Sequence, residues 1–96
     1  MASRVTIYGQ NQSADVKRLK REMNAMYVEY TLIDPKSDDR AQKHLSESLG
    51  QIPPLPLVEV QTSRGNGSVF MTNPDEPTLR QCLLSEEILS VTAYWV

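Results

Sequence analysis

Apolar and polar positions change period several times along the chain, and the changes divide it into segments. Arg4-Val5-Thr6-Ile7-Tyr8 is β-branched and aromatic, and Gly9-Gln10-Asn11-Gln12 breaks the run with turn-forming residues, which predicts a first strand. From Ala14 onward Val16, Leu19, Met23 and Met26 fall three or four apart, Ser13 stands before them as an N-cap, and Asp15 complements the dipole in the first turn. An amphipathic helix follows from that spacing. Tyr27-Val28-Glu29-Tyr30-Thr31-Leu32-Ile33 has strand composition, and Asp34-Pro35 ends it. Ser37-Asp38-Asp39 offers a second N-cap with acids in the first turn, ahead of Ala41, Leu45, Ser48 and Leu49, with Gly50 as a C-terminal stop. Pro53-Pro54-Leu55-Pro56 leads into Leu57-Val58-Glu59-Val60, and a glycine-bearing turn at 63–68 joins that run to Val69-Phe70-Met71, which reads as a hairpin. Asp75-Glu76-Pro77 then opens a short helix with Leu79, Cys82 and Leu83 on its apolar stripe.

The order β-α-β-α-β-β-α predicts one α/β domain over residues 1–88, with the first β-α-β a right-handed parallel unit. Residues 89–96 stand apart. Leu89, Val91, Ala93 and Trp95 alternate there with Ser90, Thr92 and Tyr94, which predicts an apolar C-terminal tail or an extra strand.

Composition narrows the function. The chain has 96 residues, 40% of them apolar, with ten Lys plus Arg against twelve Asp plus Glu and a formal net charge of −2. That balance disfavours nucleic acid, whose binding draws on clustered Lys and Arg. One cysteine excludes an internal disulfide. No apolar run approaches the ~20 residues of a membrane span, and Met1-Ala2-Ser3-Arg4 leads into no signal-like stretch, so a cytoplasmic protein is expected, with no membrane partner.

The order and spacing of elements over residues 4–83 resemble the glutaredoxin branch of the thioredoxin fold, particularly the small glutaredoxin-like electron donors of ribonucleotide reductase. The resemblance rests on Val5-Thr6-Ile7-Tyr8, a four-residue loop, Ser13-Ala14-Asp15-Val16 and the basic stretch Lys17-Arg18-Leu19-Lys20-Arg21, and on Leu55-Pro56-Leu57-Val58. It implies a four-stranded mixed sheet with helices on both faces, and a cis peptide bond at Pro56. It also implies a C-x-x-C motif at 13–16, where this chain has Ser13 and Val16 instead. Pro54 replaces the usual threonine, Gln10 stands where the family has a basic residue, and the glycine element before the last helix is reduced to Thr72-Asn73-Pro74-Asp75.

Disulfide exchange needs a thiolate at a helix N-terminus, and a serine hydroxyl does not supply one. Ser13 reads as an N-cap worth ~1 kcal/mol. The lone histidine, His44, falls on the second helix as a surface or boundary residue, and neither a Ser-His-acid set nor metal-ligand spacing is evident. Cys82 reads as core packing on an apolar stripe, and Lys17, Arg18, Lys20 and Arg21 as a solvated helix face. Asp15 and Gln10 work against an anionic ligand at the first helix, so no cofactor is expected and glutathione is a secondary ligand. A chain that keeps the family's substrate groove without its sulfurs suits a protein-binding module, an inhibitor or a regulatory protein, including one encoded by a phage or virus. Its groove is predicted from Gln10, Gln12, Ser13, Asp15, Pro54, Leu55 and Pro56. A separate interface with a protein partner or a second copy is predicted from Val91, Tyr94, Trp95 and Val96, aromatic and β-branched residues of the kind that anchor interfaces. The alternative is a thiol-disulfide oxidoreductase or glutathione-binding protein with an atypical site.

Overall fold

Strands rich in branched aliphatic residues are stable where both faces are covered. Two such strands, β1 (Val5–Tyr8) and β3 (Leu57–Gln61), lie at the centre of the computed structural model, which describes residues 4–62 and 67–88. The predicted tail residues Val91, Tyr94, Trp95 and Val96 lie outside the described residues. The elements run β1, α1 (Ala14–Ala25), β2 (Thr31–Ile33), α2 (Asp39–Leu49), β3, β4 (Ser68–Thr72) and α3 (Glu76–Ser85). They build a small α/β fold around one mixed sheet of order β2-β1-β3-β4. β1 pairs parallel with β2, Thr6 beside Thr31, and antiparallel with β3, Ile7 opposite Val58. β3 pairs antiparallel with β4, Glu59 opposite Phe70.

Period-two alternation sends successive residues of a strand to opposite faces. Val5, Ile7, Val58 and Val60 face one way and pack with Val16, Leu19 and Met23 of α1 and Leu79 and Leu83 of α3. Tyr8 and Leu57 face the other way and meet Ala41 and Leu45 of α2. The sheet is therefore a middle layer with a large apolar core on the α1/α3 face and a small one beneath α2.

Each helix begins where a short polar side chain satisfies a free backbone N–H. Ser13 Oγ accepts from Val16 N, an Asp38 carboxylate oxygen from Ala41 N at 3.0 Å, and an Asp75 carboxylate oxygen from Thr78 N at 3.0 Å. Pro77 sits in the first turn of α3, and Gly50 ends α2 in the left-handed region at φ 79°. The second helix is capped by Asp38, not Ser37, because Ser37 is used in the preceding turn, where its N–H and hydroxyl both donate to Asp34 O. Ser48 and Leu49 are exposed, so the buried stripe of α2 is only Ala41 and Leu45.

The second strand is shorter than its composition predicts. It begins at Thr31 rather than Tyr27, because residues 26–28 are consumed in ending α1. Tyr27 N donates to Asn24 O and Val28 N to Met23 O, and Tyr27 takes a left-handed φ of 57° that leaves its ring 95% exposed. Val28, buried in the first core, anchors the reversal. The Leu55-Pro56 bond is cis, as the resemblance implies.

Candidate functional site

The end of β1, the start of α1 and the proline-rich approach to β3 meet at one end of the central strands. Gly9 makes the junction possible. Its N–H donates to Ile33 O, continuing the parallel pairing past Tyr8, and a Cβ at this position would lie 2.6 Å from Val16 Cγ2 and 3.5 Å from Pro56 Cβ. Only glycine lets the chain pass between those two side chains without a shift. Beyond it Ser13 N donates to Gln10 O, folding the loop back so that α1 starts beside Pro56.

The result is a cleft of about 150 Å³ lined by Gly9, Gln10, Ser13, Val16, Lys36, Leu55 and Pro56. Four predicted groove residues, Gln10, Ser13, Leu55 and Pro56, thus come together from two stretches of sequence more than forty residues apart. Gln12, Asp15 and Pro54 are exposed and do not line the cleft. Asp15 stays in the first turn of α1, as its position predicts.

Gly9, Val16 and Lys36 line the cleft without having been predicted to, and Lys36 is the charged one among them. Its backbone N–H donates to Asp34 Oδ1 and Ser37 N donates to Asp34 O, an Asx-type turn that presents the lysine between the cleft and a second depression. That depression, of about 290 Å³, is lined by Pro35, Lys36, Gln42, Ile52, Pro53 and Leu55. Gln42 Nε2 donates to Pro35 O at 2.6 Å, closing its far wall, and Ile52 is 42% exposed on its rim. Lys36 and Leu55 line both depressions, so the two lie side by side. The signal available in the sequence was Asp34-Pro35-Lys36-Ser37, whose aspartate and proline favour a turn with the lysine at its tip.

A second polar constellation lies under α2. Glu59 is 5% exposed in the middle of β3, and its carboxylate accepts from Tyr8 OH at 2.6 Å and from Ser68 Oγ at 2.7 Å. His44 Nε2 lies 2.9 and 3.0 Å from its two oxygens, so the imidazole donates from that nitrogen. Burial acts to raise the Glu59 carboxyl. The hydrogen bonds from Tyr8, Ser68 and His44, with the charge of His44, outweigh it and hold the group below its ordinary value. Tyr8 is pushed well above the ordinary phenol value by its own burial, then by its bond to Glu59 and the negative charges nearby. His44 is a surface residue, one of the two placements its position predicts, with its side chain 47% exposed. Its partner was the unexpected part. Serine, histidine and acid are all present, but the serine and the histidine both bond the acid, which is not the relay of a nucleophilic triad. The carboxylate is filled by its donors, and this is a structural cluster.

Cys82 is half-buried against the first core, and burial, then Glu86, raises its thiol. A thiol raised in this way is a poor nucleophile near neutrality. Among the described residues no group of three or more His, Cys, Asp or Glu is placed to hold a metal ion, and no helix is long and apolar enough to cross a membrane. No protein-family model matches the chain, and no curated protein matches it.

Proposed function

We propose that this chain is a glutaredoxin-like domain of the thioredoxin fold that has given up disulfide exchange and works by holding an extended segment of a protein partner. The observation that carries the reading is the pair of adjoining depressions, one lined by Gln10, Ser13, Leu55 and Pro56 and the next by Ile52 and Pro53, with Lys36 and Leu55 shared between them. A narrow, mostly apolar trough with a few polar groups suits a strand-like peptide. The strand order β2-β1-β3-β4 and the single parallel pair support the fold part of the reading. The redox part is supported by chemistry: Ser13 occupies the helix start where the family places its nucleophilic cysteine, and the chain's one cysteine, Cys82, lies on α3.

Lys36 gives the reading a preference. Among the described residues it is the one charged side chain lining either depression, so segments carrying an acidic side chain near the middle of the bound stretch are favoured. The same lysine favours one second reading, glutathione as a ligand, because it supplies a cation that Gln10 does not.

Selection from a displayed peptide library against the immobilised full chain tests both. Acid-containing extended peptides should emerge, shift the amide resonances of Gln10, Ser13 and Lys36, and lose at least tenfold in affinity against Lys36→Glu. Full affinity retained by Lys36→Glu and by Ser13→Lys sinks the groove reading. Glutathione that moves the same resonances and competes with the peptides establishes the second reading.

A further inference from the structure

A sheet edge presents unpaired backbone groups, and monomeric proteins guard such edges with short strands, prolines, charged residues or bulges. The edge at β2 is guarded by its shortness, only three residues. Among the described residues β4 is the other edge, and within its span it has no proline, charge or bulge. It is Ser68-Val69-Phe70-Met71-Thr72, five residues in unbroken register with β3, and Val69, Phe70 and Met71 are all half-exposed.

The hydrogen-bond phase of β4 shows what it can pair with. Gln61 N donates to Arg4 O, on the β1 side, and Thr62 N to Gly67 O, across the hairpin. Val58 and Val60 therefore face β4, so their partners Met71 and Val69 face β3, and the N–H and C=O groups of Ser68, Phe70 and Thr72 point off the edge. We propose that this edge pairs with β4 of a second copy, antiparallel about a two-fold axis at Phe70, so that two sheets become one.

The strand is self-complementary in that register. Phe70 meets Phe70, Val69 meets Met71, and Ser68 meets Thr72, giving an aromatic pair, apolar pairs and hydroxyl pairs, each of a type that favours strand association. Every outward N–H finds a carbonyl on the other copy. Beside the strand lies an open trough of about 480 Å³ between Val69 and Met71 of β4 and the stripe Thr78, Gln81, Cys82 and Ser85 of α3. These four recur at helical spacing without a charge, so two antiparallel α3 helices can approach across the axis. A formal net charge of −2 per chain opposes the association only weakly.

The chain's own segment 89–96 is a poorer occupant on topological grounds. β1 and β4 run the same way, and α1 and α3 cover the same face. The β1-α1-β2 crossover moves toward the β2 side, so a crossover from β4 through α3 to the outer edge moves the opposite way and has the opposite hand. If the first is right-handed, as almost all are, the second is left-handed.

Sedimentation velocity of the full chain over a wide concentration range should show a monomer–dimer equilibrium, and a monomer throughout overturns the proposal. Phe70→Lys sets like charges opposite each other at the axis and should abolish the dimer, whereas Phe70→Tyr should keep it, with circular dichroism confirming that both fold. In the unaltered protein the amides of Ser68, Phe70 and Thr72 should gain hydrogen-exchange protection as concentration rises. A dimer that leaves those amides unprotected, survives Phe70→Lys, or is lost in Trp95→Ser uses another surface and overturns the assignment.

Discussion

Glu59 is the residue whose environment departs furthest from what its position suggests. An acid between two valines in a strand, Val58-Glu59-Val60, reads as a solvent-facing position, since alternation normally sends polar residues outward. The sheet is covered on both faces, so the outward side of β3 is the floor under α2, and the carboxylate is held there by Tyr8, Ser68 and His44. None of those partners is near it in sequence, which is why the cluster was illegible beforehand. Cap residues such as Ser13 and Asp75 were legible because their partners lie three residues away. The cluster has a pH signature. Because the folded carboxyl lies below its ordinary value of 4.5, its contribution to stability is fully present above that value and is lost as pH falls through the folded value. Denaturant unfolding between neutral pH and pH ~3 should show stability falling on the acid side, and the fall should be shallower in Glu59→Gln. The same variant should cost about 1–3 kcal/mol at neutral pH, because an amide cannot accept from all of those donors at once. An unchanged acid limb in Glu59→Gln would assign the pH dependence to other groups.

At the scale of elements, strong periodicity and local signals carried most of the architecture. The number, type and order of elements follow from apolar spacing and from Pro, Gly and Asp punctuation, and Gly50 ends α2 where the sequence places its stop. The start of β2 did not follow. Tyr27 and Val28 have strand propensity, yet closing α1 and burying Val28 in the first core outweigh it, and a tyrosine is left in the left-handed region as a consequence. The groove was half legible for a related reason: its two proline-rich and serine-bearing walls are marked by local motifs, whereas Lys36 enters through the Asp34 turn. The N-terminus of α2 offers a direct comparison. Asp38→Ala removes the acceptor of Ala41 N and should cost about 1 kcal/mol, while Ser37→Ala, which loses only an exposed bond to Asp34 O, should stay within about 0.5 kcal/mol. A larger cost for Ser37→Ala than for Asp38→Ala in chemical denaturation would place the cap at Ser37.

Across the whole molecule, the two faces of the sheet are unequally held. The α1/α3 face has an extended apolar core, whereas α2 buries only Ala41 and Leu45 and relies on His44 reaching Glu59. Elements with few buried apolar contacts open first, at free energies below that of global unfolding. Amides in α2 are therefore expected to exchange through a local opening well before those of β1, β3, α1 and α3. His44→Ala should speed exchange in α2 and leave α1 unchanged, since it cuts the polar tie without touching the larger core. The opening bears on the groove, because the turn that carries Lys36 runs directly into α2 and Gln42 on that helix holds Pro35 O. Loosening α2 moves the Lys36 wall while Gly9, Ser13 and Pro56, fixed by β1, α1 and β3, stay in place. A peptide bound along the groove ties the two walls together, so binding should raise the protection of α2 selectively. Native-state hydrogen exchange with and without a selected peptide measures this, and equal protection of α1 and α2 in the free protein would show that the α2 layer is not the weaker one.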